Sequence, residues 1–348
     1  MDLFIPVLPP ERLHPSFVVL MNGEAYSPAR GIIREVFESY HDIDGNFIEQ
    51  FQSTGFDARI WELYLYSYLK DQNFTFDIRH ARPDFVVQKK EVSVCIEAVT
   101  ANLTQSDSNH AEENDQGTSD VFERLLHTDP IKLGSPLYSK LKKKYWELEH
   151  VQGRPLIIAI EDFHEKKSLT HSSAALSNYL YGFTQYFNYD EMGNSGIKTI
   201  HFEKHTRGSK EIPTAFFELP DSENISAVIF SNSGTITKFN RMGQLGKYRS
   251  DKLIMIRDGL CYNPEENSNI PLRFKYIVGD PNFPEAWGQG ISVFHNPNAK
   301  HPVAFEIFED VQHLKFKNGL IANYTPLFFP ISSITLIFEL TNKEPTSS

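Results

Sequence analysis

The pattern of apolar and polar positions divides this chain near residue 195. Before that point, runs with helical spacing alternate with continuous apolar runs. After it, short β-like runs recur between Gly, Pro, Asn and Asp punctuation. A Pro-rich opening stretch is expected to wrap the surface until Ser27-Pro28, where a cap residue followed by Pro starts the helix ARGIIREVFESY. Asp42, Asp44 and Gly45 resemble a calcium loop only superficially, because the Gly comes too early. They read as a turn before a helix containing Phe47, Ile48 and Phe51. The next helix, FDARIWELYLYSYL, presents Ile60, Leu63, Tyr64, Leu65, Tyr68 and Leu69 as a broad apolar face, with Glu62 as the acidic residue in its middle.

Two strands follow. RPDFVVQ places Pro83-Asp84 before an apolar run, and after the turn Lys89-Lys90-Glu91 the run VSVCIEAV is apolar on both faces and places Glu97 near its end. Residues 104–120 form the most polar window, read either as a surface excursion or as an inserted loop carrying specificity. SPLYSKLKKKYWELE reads as a helix with the stripe Leu137, Leu141, Tyr145 and Leu148. Lys140 and Lys144 lie on or beside the stripe, and Lys142 and Lys143 point away. RPLIIAIEDFH is a further buried strand, parallel to its neighbours, ending in Glu161, Asp162 and His164. A helix opened by Thr170 or Ser172 completes this half. The second half offers IKTIHFE, TAFFEL, ISAVIFS, TITKFN, KLIMIR, RFKYIV, ISVFHN, VAFEIF and SITLIFEL as strands. The organisation expected is an α/β core over 1–195 with a helical N-terminal segment, and over 196–348 a β-rich extension that lengthens the sheet or packs as a second lobe.

Carboxylates inside an apolar sheet cost several kcal/mol each unless something compensates them. Asp84 and Glu97, on neighbouring strands across a short turn, can converge on one point, and a divalent cation is a common reason to keep them there. The order of Glu62 on a helix, Pro83-Asp84 opening one strand and Glu97 on the next resembles the core of the PD-(D/E)xK nuclease superfamily, over roughly residues 55–165.

The resemblance implies a restriction-endonuclease-like mixed sheet flanked by helices. It implies a metal-dependent nuclease hydrolysing nucleic-acid phosphodiesters, with Mg²⁺ (or Mn²⁺) at Asp84 and Glu97 and Glu62 holding a water or a second ion. The superfamily's strand lysine is missing, since its position is Val99. Some members that lack it are similar in bringing a lysine from the following helix. Lys140, then Lys144, takes that role here; the alternative is that both snorkel over apolar surface. The phrases IEAVTAN, SKLKKKYW, ISAVIFSNSGTITKFNRMG and FHNPNAKHP also look like a family of uncharacterised bacterial proteins, a resemblance that spans most of the chain and brings no activity.

Charge changes this picture in one respect. With 45 acidic and 34 basic side chains the formal charge is −11, against a protein that coats nucleic acid non-specifically. A nuclease needs only a local basic surface. Lys142 and Lys143, with Lys238 and Arg241 interleaved with Phe239 and Met242, are the candidate nucleic-acid contacts, although the second segment also reads as an ordinary amphipathic turn. The charge and Val99 together favour an alternative, a catalytically inactive nuclease-fold protein acting as a nucleic-acid or protein binding module. DNA is expected as the partner before RNA, and a homo-oligomer or partner protein is compatible with the sequence.

Other chemistries find little support. Cys95 and Cys261 allow no disulfide framework or cysteine-zinc site. His295 and His301 suggest a metal pair or a His-Asn-His nuclease only on paper, because the ββα frame is missing, and they read as structural. No phosphate loop or nucleophile elbow is present. No secretory signal or membrane span is found, so a cytoplasmic location is expected.

Overall fold

The computed structural model describes residues 2–102, 124–163, 172–189, 195–207, 210–265 and 270–340. The polar window 104–120, His164 and Thr170 lie outside them. Four helices open the chain: α1 (Pro15–Asn22), α2 (Ser27–Ser39), α3 (Phe47–Gln52) and α4 (Phe56–Asp71). Asp42 accepts hydrogen bonds from the backbone N–H groups of Gly45 and Phe47, which makes the acidic turn the entrance to α3.

An eight-stranded mixed sheet organises the molecule. In spatial order it runs β1 (Thr75–Phe76), β2 (Phe85–Lys89), β3 (Val92–Asn102), β4 (Leu156–Phe163), β9 (Ala227–Ser231), β12 (Ile291–His295), β13 (Gln312–Lys317) and β14 (Leu320–Tyr324). Strand β4 is parallel to both β3 and β9, while β2 and β12 run antiparallel to their neighbours β3 and β9. The second half of the chain therefore lengthens the sheet. It also adds a separate antiparallel sheet of β11 (Leu272–Ile277), β10 (Leu253–Cys261) and β15 (Pro330–Glu339). Two hairpins, β5 (Phe183–Tyr189) with β6 (Ser195–His201) and β7 (Lys204–Arg207) with β8 (Lys210–Pro213), lie between.

Period-2 alternation sorts the central strands into two cores. Val94, Ile96 and Ala98 of β3 and Ile157 and Ala159 of β4 join α4 and the N-terminal helices on one face. Cys95, Ile158 and Ile160 join α5 (Asp129–Leu141) and α6 (Ser172–Tyr181) on the other. Helix α4 is buried from Ile60 to Leu69, wider than one amphipathic stripe, because its polar tips find backbone partners in the same layer. Trp61 Nε1 donates to the Ala159 carbonyl at 3.2 Å, and the Tyr64 hydroxyl to that of Trp287 at 2.7 Å.

Several expected strands are something else. TAFFEL and VAFEIF form 3-10 turns at Phe216–Glu218 and Phe305–Ile307. TITKFN opens helix α7 (Ile236–Leu245): the Thr235 side chain accepts from the Lys238 backbone N–H as an N-cap, which commits the following residues to helix. Gly243 lets α7 approach α2, since a Cβ there would stand 2.2 Å from the Pro28 carbonyl oxygen. The lysine helix starts at Asp129, runs through Pro136 and stops at Leu141, where Lys144 turns left-handed with φ 53°. Tyr145 and Leu148 therefore do not continue the Leu137–Leu141 stripe. Among the described residues no helix is long and apolar enough to cross a membrane.

Candidate functional site

The register of β2 on β3 sets Phe85 opposite Ile96, so Asp84 enters the sheet beside Glu97. Asp84 shares the strand parity of Val86, and Glu97 that of Cys95, which turns both carboxylates toward the α5 layer. The backbone N–H of Ala98 donates to Asp84 Oδ2 at 2.7 Å, tying the two strand ends together. Glu97 is 4% exposed. Its Oε1 receives the Lys140 ammonium from the last turn of α5 and the Tyr145 hydroxyl at 2.7 Å. Its buried Oε2 has no hydrogen-bond partner among the described residues.

Glu62 comes from the opposite layer. Arg59, one turn earlier on α4, donates to its Oε2 at 2.5 Å, and the Tyr40 hydroxyl donates more weakly at 3.4 Å. Burial, then the charges of Glu97 and Glu62, pushes the Asp84 carboxyl well above the usual carboxylate range. Burial also raises Glu62, against the pull of Arg59 and with a further push from Glu97. The three carboxylates thus share one electrostatic environment, in which Lys140 and Arg59 are the cations.

These donors suit a hard cation. The orphaned Glu97 Oε2 and the proton-hungry Asp84 carboxyl are what a site gains when its counter-ion is a metal, and Mg²⁺ takes only one or two carboxylates from protein. Among the described residues no group of three or more His, Cys, Asp or Glu side chains is gathered to hold a metal on its own. Glu62 is therefore a charge neighbour of the pair, already engaged by Arg59.

The other sequence candidates separate from this cluster. Lys142 and Lys143 are exposed, Lys142 over the Tyr138 ring at 4.3 Å. Lys144 turns away to Asp221 at 3.5 Å and Glu147 at 3.9 Å, so it does not reach Glu97. Lys238 and Arg241, expected on a nucleic-acid surface, are buried and both bind Glu285. Their helix packs its polar stripe inward, a burial that local sequence does not reveal. Glu161 shares the α4 face of β4, close enough to the 233–235 loop that a Cβ on Gly234 would stand 2.2 Å from its Oε2; burial pushes its carboxyl well above the usual range.

His295 pairs with His313 at 2.9 Å, and His313 Nε2 reaches the Phe308 carbonyl at 2.9 Å, so the pair is structural and His301 takes no part. Burial and His313 push the His295 imidazole down to about 3. Sequence reading missed Tyr145, taken as core, and Arg59. The Arg59–Glu62 spacing of one helical turn was the available signal for the second.

A mixed α/β sheet carrying a carboxylate pair, faced by a lysine from the next helix, defines the class of this protein. No family model and no solved structure matches the chain. Low calcium response locus protein R of Yersinia enterocolitica and of Yersinia pestis are each 30% identical to it over 117 residues, covering 29% of this chain and 77% of theirs. The chain belongs to the family of low calcium response locus protein R. That name states no chemistry.

Proposed function

We propose that this protein is a metal-dependent nuclease with a restriction-endonuclease-like core, acting on nucleic-acid phosphodiesters. The observation that carries the reading is the adjacency of Asp84 and Glu97 at the β2–β3 edge, with Lys140 on one Glu97 oxygen and, among the described residues, nothing hydrogen-bonded to the other. Asp84 and Glu97 would hold Mg²⁺ or Mn²⁺. When bound there, such an ion neutralises phosphate charge and acidifies water. Lys140 sets the orientation of Glu97 and brings a positive charge to the place where the scissile phosphate would gain negative charge. Tyr145 fixes the same oxygen, and Arg59 offsets part of the burial cost of Glu62 beside the pair. Exposed Lys142 and Lys143, at the end of α5, extend a basic edge from this site toward a nucleic-acid backbone.

The test joins binding to cleavage. Titration of Mg²⁺ and Mn²⁺ into the wild type should give heat that vanishes in Glu97→Ala. Plasmid, single-strand and RNA substrates should be cut by the wild type and left intact by Asp84→Ala and Glu97→Ala, with both variants folded. Equal cleavage by the variants sinks the proposal. Metal binding lost with Glu97 but no cleavage of any substrate would favour an inactive nuclease-fold binding module, the reading for which the Lys140–Glu97 pair, self-neutralised without metal, speaks.

A further inference from the structure

A second buried charge cluster lies on α7 and the three-stranded sheet. Lys238, fully buried, donates to Glu285 Oε1 at 2.8 Å and to the Ala286 carbonyl at 2.6 Å. Arg241 forks onto both Glu285 oxygens at 2.9 Å and 3.1 Å through Nε. Arg257, at the centre of β10, stands 3.4 Å from the same carboxylate. Three cations therefore surround Glu285, the one carboxylate in ion-pair contact with them among the described residues.

Two of these cations face a cavity of about 330 Å³ between the start of α7 and β15, large enough for a small ligand. Its polar lining donates. Arg241 Nη1 donates to Thr335 Oγ1 at 2.9 Å and Arg257 Nε to Ser333 Oγ at 3.2 Å, so both hydroxyl oxygens act as acceptors and their O–H groups are left to donate elsewhere. Thr237 and Ser332 add two more hydroxyls, and among the described residues no carboxylate lines the space. The first turn of α7 borders it, where helix N–H groups and the dipole favour an anion.

We propose that this cavity is a binding site for a phosphate monoester. Three cations less one carboxylate leave two positive charges, and a phosphate monoester carries close to two negative charges at neutral pH. Arg241 already forks onto Glu285, so its charge and that of Arg257 attract the phosphate while the Thr335 and Ser333 hydroxyls they orient donate to it. Burial, partly offset by Glu285, pushes the Lys238 amine down to about 8, consistent with a cluster in which cations outnumber anions. The proposal is independent of the Asp84–Glu97 site. The phosphate could belong to a free small molecule, such as a nucleotide, or to the phosphorylated end of a nucleic acid.

Calorimetry and thermal unfolding in divalent-free buffer, at fixed ionic strength set with chloride, test it. The probes are inorganic phosphate, a nucleoside 5′-monophosphate, and one oligonucleotide with a 5′-phosphate or a 5′-hydroxyl. The wild type should bind phosphate and melt at a higher temperature with it. Binding should weaken at least tenfold in Arg257→Met and in Thr237→Phe, which places a ring in the cavity, and several-fold in Ser333→Ala. A preference for the 5′-phosphate oligonucleotide over its 5′-hydroxyl form assigns the nucleic-acid end, and equal binding of the two with tight nucleotide binding assigns the free ligand. If Arg257→Met fails to fold, the other two variants decide. No binding by any probe, or binding unchanged in Thr237→Phe and Ser333→Ala, overturns the proposal.

Discussion

The two buried charge clusters differ in sign, in origin and in how they are balanced. Around Asp84, three carboxylates meet two cations, and burial leaves two of the carboxyls with raised proton affinity. Around Glu285, one carboxylate meets three cations, whose combined charge overcomes its desolvation and holds it well below the ordinary carboxylate range. The first cluster is built from elements close in sequence, α4 through the turn after α5. The second joins α7, β10, the loop before β12 and β15. A charge imbalance kept inside a protein costs stability unless a ligand of opposite sign relieves it, so the two clusters point to ligands of opposite charge.

The largest expected effect comes from breaking the cationic cluster. Glu285→Ala leaves three buried cations uncompensated and should cost about 3–5 kcal/mol, read by urea unfolding. A loss below about 1 kcal/mol would mean that water already reaches these groups and that the charge excess is not real.

Asp84→Asn should do the opposite in metal-free buffer. Removing one of three mutually repelling carboxylates, while an amide oxygen can still accept from Ala98, should stabilise the protein by about 1–2 kcal/mol at neutral pH. Linkage gives the sign of the pH dependence. The native Asp84 carboxyl binds its proton more tightly than the unfolded chain does, so its contribution is fullest below the ordinary value of 3.8 and declines as pH rises through the raised native value. Asp84→Asn should show a shallower decline than the wild type, keeping what Glu62 and Glu161 contribute; an equal or steeper decline in the variant would contradict the assignment. Excess Mg²⁺ should narrow the gap between the two proteins.

The His295–His313 pair supplies a neutral control for both clusters. Its native imidazoles are held below the ordinary value of 6.5, so the unfolded chain takes up the protons first and stability falls as pH drops below about 6.5. His313→Asn should flatten that acid limb and leave metal and phosphate titrations unchanged. The smallest change is expected for Tyr145→Phe, which removes one hydrogen bond to Glu97 and should cost about 0.5–1.5 kcal/mol at neutral pH. A larger loss would make Tyr145 rather than Lys140 the main support of Glu97.

Local sequence was informative where the physics was local. The α4 helix, the β2–β3 hairpin and the β4 strand follow from 3.6 and 2 periodicity and from a short turn, and the placement of Asp84 beside Glu97 follows from that hairpin. The Lys140 contact was legible because a helix returning across the sheet must bring its lysines near the strand end. The helix boundary was not: SPLYSKLKKKYWELE was read as the helix, whereas α5 starts at Asp129, carries Pro136 inside it and stops at Leu141. Short apolar runs such as TITKFN carry no length to distinguish strand from helix, and there the Thr235 cap decided.

What the sequence determined by itself is the order of the main elements from α2 to β4, without the α1 helix in the opening stretch or the short β1, together with the pairing of two carboxylates and the identity of the lysine available to them. These depend on neighbours within a few tens of residues. Tertiary structure alone decided that β9, β12, β13 and β14 extend the same sheet, that Lys238 and Arg241 point inward, and that Arg257 and Glu285 meet them. Whether a cation on an amphipathic helix is solvated or buried depends on which distant carboxylate packs against it, and no local pattern encodes that partner.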